Sequence, residues 1–243
     1  MRSIKDKVMV ITGASRGIGA GIARLFAEEQ AKLVLCGRDQ QRLKEVAESL
    51  PIPKANRLTV AVDITKKTGM KKIVEAAYKK YGVVDIFINN AGVGARKLLV
   101  DLTEREFDAV MAVNLKAVFY SFKEIIPRFQ KQGFGQIINI SSMAGKQGVA
   151  GMAAYCASKA ALNVFSEAVA NEVRNDNIKI SVLAPGSTDT GFMAGGSKKK
   201  GVHPREKNRM TTAEVAEAVL FMARQNENAW MSLAEIRPLI IKK

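Results

Sequence analysis

A chain of 243 residues that is 47% hydrophobic has the length and apolar content for one large α/β core. Its two cysteines, Cys36 and Cys156, stand far apart and its only histidine is His203, which argues against a disulfide framework, a metal centre or a Ser-His-Asp hydrolase. The net charge of +15 comes mostly from lysines scattered over amphipathic helices, and the one dense basic run, residues 197–209, has no aromatic platform for single-stranded nucleic acid.

Nucleic acid is therefore not an expected partner. Nor is a membrane, since the longest apolar runs fall far short of the roughly 20 residues a span needs. The first residues run straight into a strand pattern without an apolar targeting core, which predicts a cytoplasmic protein. Residues 7–12 (KVMVIT) form that strand and end at Gly13; residues 21–29 then read as helix. Strand, glycine-rich turn and helix together set backbone N–H groups and a positive helix end against a phosphate. The turn, TGASRGIG, has Gly13, Gly17 and Gly19, a spacing other than G-x-G-x-x-G. Gly13 would permit the tight turn, and Gly17 and Gly19 would let backbone approach a pyrophosphate and let the helix pack on the strand.

Residues 31–37 are the next strand, and its end is where an adenosine ribose sits in a first βαβ unit. An acidic residue there would bind the 2′-hydroxyl of NAD. This chain offers Gly37, Arg38 and Asp39, with Arg16 reaching from the turn. Two guanidinium groups suit a 2′-phosphate, so NADP is the expected cofactor. Asp39 stands where it would cap the following helix.

Residues 40–50 read as helix, ended by Pro51 and Pro53. Residues 57–62 are a strand ending at Asp63 and Ile64, and residues 67–81 a basic-faced amphipathic helix. A strand at 84–89 runs into Asn90, Ala91 and Gly92. Residues 103–120 read as one long helix opened by a Thr103/Glu106 capping box, and residues 122–132 continue or restart it. Asn114 interrupts the apolar stretch VMAVNLKAVF, as a satisfied core amide or a site residue. The strand at 135–141 delivers Ser142 to its carboxyl end, the side on which open α/β sheets bind ligands. After a helix at 154–174, the strand at 178–184 ends at Pro185 and Gly186, with Thr188 and Thr190 beyond. Residues 191–209 have no hydrophobic period, and a loop that long reads as a mobile cover over a substrate site. A last helix at 212–224 precedes a final strand at 231–241, whose Pro238 belongs at an edge or outside the sheet. Strands alternating with helices predict a single α/β domain over residues 1–243 with a doubly wound parallel sheet.

Tyr155 and Lys159 lie four residues apart on one helix face. An ammonium beside a phenol would draw its pKa below the usual value of about 10, making Tyr155 a proton donor near neutral pH. Ser142, brought alongside by a glycine-rich loop, would hold a carbonyl oxygen while charge builds on it. Y-x-x-x-K alone is common by chance; its weight here comes from the motifs upstream.

Taken together, these motifs resemble the short-chain dehydrogenase/reductase family across nearly the whole chain. The resemblance rests on residues 12–19, Asp63-Ile64, residues 89–92, Asn114, Ser142, Tyr155 with Lys159, and Pro185-Gly186 with Thr190. It implies a seven-stranded Rossmann sheet with helices on both faces and a nicotinamide cofactor across the strand ends. In that pattern Tyr155 is the general acid in reduction, Lys159 binds the nicotinamide ribose and lowers the tyrosine pKa, and Ser142 holds the substrate oxygen. Asn114 fixes a water that relays protons to Lys159. Gly13, Ser15, Arg16, Gly17, Ile18, Gly19 and Arg38 hold the phosphates. Asp63 and Ile64 contact adenine, Asn90, Ala91 and Gly92 the adenine ribose and sheet centre, and Pro185, Gly186, Thr188 and Thr190 the nicotinamide end. Within the family the chain is similar to 3-oxoacyl thioester reductases and to broad-range NADP carbonyl reductases, implying a carbonyl or acyl thioester substrate and a homo-oligomer; the alternatives are a reductase or dehydrogenase of small hydroxy acids, sugars or pteridine-like carbonyls and, more remotely, a non-catalytic NADP-binding regulator. Acyl carrier protein is a further implied partner, with Lys131 and Arg174 as basic groups near the docking positions and the Lys198–Lys200 cluster as an attraction for acidic carrier or coenzyme A phosphate. The chain departs from the carrier-docking pattern at Gly133 and Asp176, and from the usual Gly-rich tail at its C-terminus.

Overall fold

Strands and helices alternate as the apolar pattern requires. The computed structural model describes residues 1–191 and 209–239. Along the chain they form β1 (Val8–Thr12), α1 (Gly17–Glu28), β2 (Lys32–Gly37), α2 (Gln40–Glu48), β3 (Arg57–Ala61), α3 (Lys67–Tyr81) and β4 (Ile86–Asn89). There follow α4 (Glu104–Met111), α5 (Ala117–Gln132), β5 (Gly135–Ile140), α6 (Ala153–Val173), β6 (Ile178–Pro185), α7 (Thr212–Ala223) and β7 (Leu233–Ile236). All seven strands are parallel, in the order β3-β2-β1-β4-β5-β6-β7.

Both faces of the sheet are covered, which is why the central strands read as unbroken apolar runs. Side chains alternate between two cores. Met9 and Ile11 of β1 face one, packed with α1, α2 and α7 through Phe26, Leu43 and Val219. Val8 and Val10 face the other, packed with α3, α5 and α6 through Ile73, Phe129 and Leu162. The sequence leaves β1 outward to β2 and β3, then returns to β4 on its other side. Connections diverge at that seam, and the divergence opens a crevice at the carboxyl ends of β1 and β4.

Several boundaries differ from the sequence expectation. α1 starts at Gly17 rather than residue 21, so two of the turn's three glycines belong to the helix's first turn. The long helix is one body from Glu104 to Gln132, but Ala112–Lys116 is a π-helical turn between α4 and α5. β4 begins at Ile86, two residues late. β7 stops at Ile236, well short of 241, because Pro238 cannot donate a ladder hydrogen bond. Pro238 packs instead on Gly186, its Cδ 3.0 Å from where a β-carbon would stand.

The expected cover at 191–209, with His203 and Lys198–Lys200, lies outside the described residues except at its two ends. Its base is pinned: the Asp189 amide donates to the Met210 carbonyl at 2.8 Å, and the Met210 amide to the Ser187 carbonyl at 2.9 Å. No helix among the described residues is long and apolar enough to cross a membrane.

Candidate active site

The crevice is built first from a clamp between the ends of β1 and β4. The Thr12 hydroxyl accepts the backbone amides of Asn90 and Ala91, at 3.0 and 3.1 Å. The Asn90 amide group donates to the carbonyls of Thr12 and Gly13, at 2.9 and 3.2 Å. Asn90 therefore holds the glycine turn, which is a different use of its side chain from direct ribose contact. Gly13 has φ +66°, a left-handed conformation, and a β-carbon on Gly19 would stand 2.4 Å from the Gly13 carbonyl oxygen. Only glycine lets α1 come that close to the turn.

The first turn of α1 lacks both a side-chain cap and an acidic residue. By contrast α2, α4 and α7 are capped by Asp39, Thr103 and Thr211. Uncapped N–H groups at a helix start carry partial positive charge and accept an anion. That start opens on the crevice beside Thr190, whose Cβ is 3.4 Å from the β-carbon position of Gly17. The cradle fits a dinucleotide pyrophosphate. Ile18 packs its side chain into the core, so it offers backbone only, as does Ile64, which is buried in the other core.

Arg16, just before α1, and Arg38, just after β2, are exposed. Asp39 accepts the Arg42 amide at 3.0 Å and pairs with the Arg42 guanidinium at 3.2 Å. Asp39, the acidic residue that follows β2, is thus committed to capping α2. Asp63 accepts the Thr65 hydroxyl and amide, at 2.7 and 3.0 Å. Those bonds, with smaller help from Lys66 and Arg38, hold its carboxyl below the usual carboxylate range.

Across the crevice, β5 ends at the second group. Tyr155 and Lys159 are both buried on α6. The hydroxyls of Tyr155 and Ser142 are hydrogen-bonded, and Ser142 also accepts the Ala144 amide at 3.1 Å. The Lys159 ammonium donates to the Ile140 carbonyl at 2.8 Å and lies 5.9 Å from the centre of the Tyr155 ring. Burial pushes Lys159 down from 10.5 to about 8. Tyr155 departs from the sequence expectation. Burial raises its pKa, Ser142 opposes that, and the neighbouring Cys156 adds to it. In the protein alone, desolvation outweighs any attraction from an ammonium that is itself desolvated.

Asn114 sits on the π-helical turn and is buried. Its carbonyl oxygen accepts the Val93 amide at 2.9 Å, and its NH2 donates to the Val93 carbonyl at 2.9 Å and the Ser158 hydroxyl at 3.0 Å. Ser158 in turn donates to the Tyr155 carbonyl at 2.8 Å. Both amide donors are used on protein groups, so Asn114 ties the loop after β4 to the tyrosine helix. π-turns of this kind recur at functional sites.

Sequence reading passed over three residues here. The Ser141 hydroxyl donates to Asn163 at 2.5 Å, and the Asn163 amide group donates to the Gly145 carbonyl at 3.3 Å. Gly145 packs so closely on the Lys159 backbone that a β-carbon would stand 2.8 Å from it. These contacts fix the Ser142 loop against α6. The visible signal was Asn163 four residues after Lys159, on the same helix face. At the remaining edge Gly186 donates to the Ile236 carbonyl at 2.8 Å, and the Thr188 hydroxyl to the Gly186 carbonyl at 3.1 Å. Of the carrier-docking positions, Gly133 is the left-handed cap of α5 and Asp176 accepts from Gln130 at 2.7 Å.

Comparison with known proteins agrees with this arrangement. A family model described as short chain dehydrogenase matches residues 7–201. An uncharacterized oxidoreductase of Staphylococcus aureus (strain MRSA252) is 31% identical over 239 residues, 98% of this chain and 100% of the relative. Among solved structures, a 3-ketoacyl-(acyl-carrier-protein) reductase from Brucella melitensis complexed with NADH superposes with a TM-score of 0.87 at 30% identity, covering 96% of this chain and 98% of the other. An alcohol dehydrogenase from the archaeon Thermococcus sibiricus complexed with 5-hydroxy-NADP has a TM-score of 0.85 at 28% identity, covering 98% of each chain. A metagenomic short-chain oxidoreductase in complex with NADP has a TM-score of 0.81 at 31% identity, covering 98% of this chain and 100% of the other.

Proposed function

The chain belongs to the short-chain dehydrogenase family of oxidoreductases, and from that premise we propose that it is an NADPH-dependent reductase of a ketone or 3-oxoacyl thioester, with Tyr155 as general acid. The observation that carries the reading is the hydrogen-bonded hydroxyl pair of Ser142 and Tyr155 at the carboxyl end of β5, the tyrosine buried beside the Lys159 ammonium. A nicotinamide dinucleotide bound along the crevice supplies hydride chemistry. The protein's own residues do the rest. Ser142 and Tyr155 converge on one carbonyl oxygen, hold it as negative charge develops, and Tyr155 gives it a proton. Lys159, charged below pH 8 or so, favours the phenolate left behind. Asn114 keeps the floor of the site fixed through Val93 and Ser158.

The preference for NADPH is supported by the commitment of Asp39 to α2 and by the exposed Arg16 and Arg38. The test is loss of NADPH absorbance with a generic diketone or acetoacetyl thioester. Tyr155→Phe should lower turnover by about 10²–10⁴-fold while NADPH affinity stays within about threefold. Retained turnover would remove Tyr155 from the role of proton donor.

A further inference from the structure

Among the described residues, the segments around the crevice carry more cations than carboxylates to pair with them. Three segments form its outer rim. The loop after β4 is laced to the loop before Tyr155: the Lys97 amide donates to the Gly151 carbonyl at 2.9 Å. The Arg96 Cγ lies 3.9 Å from where a Gly151 β-carbon would stand. Arg96 thus sits beside the turn four residues ahead of Tyr155. Lys146 follows the Ser142 turn on the second segment. Arg237 borders Gly186 on the third, its Cα 3.5 Å from the Gly186 β-carbon position.

Glu106 takes Lys97 at 2.6 Å. Glu235 is shared, with Lys146 at 3.2 Å and Arg237 at 3.0 Å. Two cations hold that carboxyl below its ordinary range. One carboxylate between two cations leaves one positive charge over. Arg96 has no carboxylate within salt-bridge distance among the described residues. Asp189 and Arg209, at the foot of the 191–209 segment, are of opposite sign. Among the described residues there is therefore an unpaired guanidinium next to the tyrosine loop and, elsewhere, one carboxylate shared by Lys146 and Arg237.

We propose that the substrate is an anionic carbonyl compound, and that Arg96 is the residue that binds its carboxylate or phosphate oxygens. A guanidinium fork matches either group bidentately. The Lys146–Glu235–Arg237 triad adds attraction. This rests on the reductase reading for the carbonyl but not for the charge. A neutral ketone would leave Arg96 without a partner and gain nothing from it.

Two paired comparisons test it. The first measures kcat/KM with NADPH for 3-oxobutanoate and its methyl ester, and for dihydroxyacetone phosphate and dihydroxyacetone, in wild type, Arg96→Gln and Arg96→Lys. An acid-over-ester or phosphate-over-alcohol preference of about tenfold is expected. It should shrink with added salt, vanish in Arg96→Gln and survive in part in Arg96→Lys. The pair with the larger preference says whether carboxylate or phosphate is the natural group. Equal rates within each pair, or a loss in Arg96→Gln that is the same for charged and neutral partners, would overturn the proposal and leave the reductase reading standing. The second comparison needs no turnover: calorimetric binding of 3-hydroxybutanoate and its methyl ester to the protein with NADP. If nothing is reduced, the reductase reading fails on its own, and this measurement decides for the anion subsite if the acid binds tighter through Arg96, and against it if the two bind alike.

Discussion

Lys159 is a charge placed where the fold would be more stable without one, and Lys159→Met tests that directly. Burial lowers its pKa from 10.5 to about 8. At about 1.4 kcal/mol per tenfold change in the protonation equilibrium, keeping it charged in the folded protein costs about 3 kcal/mol relative to the unfolded chain. Methionine has nearly the same reach and no charge to desolvate. Against the gain stands the lost hydrogen bond to the Ile140 carbonyl, worth about 1–2 kcal/mol for a charged donor. The variant should therefore be more stable at pH 7 by about 1–2 kcal/mol, or about 3–6 °C in Tm for a chain of this size. It should also be catalytically dead. The sign of the pH effect follows from the lowered pKa. Below about pH 8 both states carry the proton and the penalty is constant. Between about 8 and 10.5 the unfolded chain binds more proton than the folded one, so wild-type stability rises relative to the variant and the gap closes. Urea and thermal melts followed by circular dichroism across pH 7–10.5, taken as the difference between the two proteins, cancel the other titrating groups. A variant that melts below wild type at pH 7, or a difference that stays flat through that range, would refute the reasoning.

Two further substitutions bear on the cofactor. Arg38→Asp replaces a phosphate partner with a repelling carboxylate, and KM for NADPH should rise about 10–100-fold while that for NADH changes little; steady-state kinetics with both cofactors would show otherwise if the 2′-phosphate is bound elsewhere. Gly19→Ala drives a methyl group to 2.4 Å from the Gly13 carbonyl and 2.5 Å from the Asn90 amide nitrogen, neither of which can move freely. Stability should fall by about 1–3 kcal/mol and NADPH affinity by more than about tenfold, and fluorescence titration with a thermal melt checks both.

What the sequence disclosed follows from what has a local signature. Apolar runs of strand length, the capping box at Thr103, and proline stops each have causes within a few residues, and they disclosed the parallel sheet and the helices between its strands. Glycine spacing placed the turn, although the start of α1 was set four residues late because glycines read as loop until a packing partner explains them. The π-turn at Ala112–Lys116 has no such signature. Within it Asn114 bonds Val93 and Ser158, neither a neighbour in sequence. The direction of the Tyr155 pKa was likewise hidden, since it depends on burial by the whole fold rather than on the lysine one helical turn away. Asn163 and Ser141 were missed because each looks like an ordinary polar residue until the loop over α6 is seen.

The clamp at Thr12 has a consequence for how such a crevice tolerates change. At the seam between β1 and β4 the chain leaves in opposite directions, so peptide groups there run out of strand neighbours and one hydroxyl stands in for them. The hollow that admits a ligand and the shortage of backbone partners are two results of one topology. Thr12→Val, nearly the same in shape, would take the acceptor from the Ala91 amide and leave the Asn90 amide only its bond to the Ile88 carbonyl at 3.2 Å. A site reshaped by evolution would be free to alter the rim, where side chains answer only to the substrate, long before it could alter this hinge of the architecture.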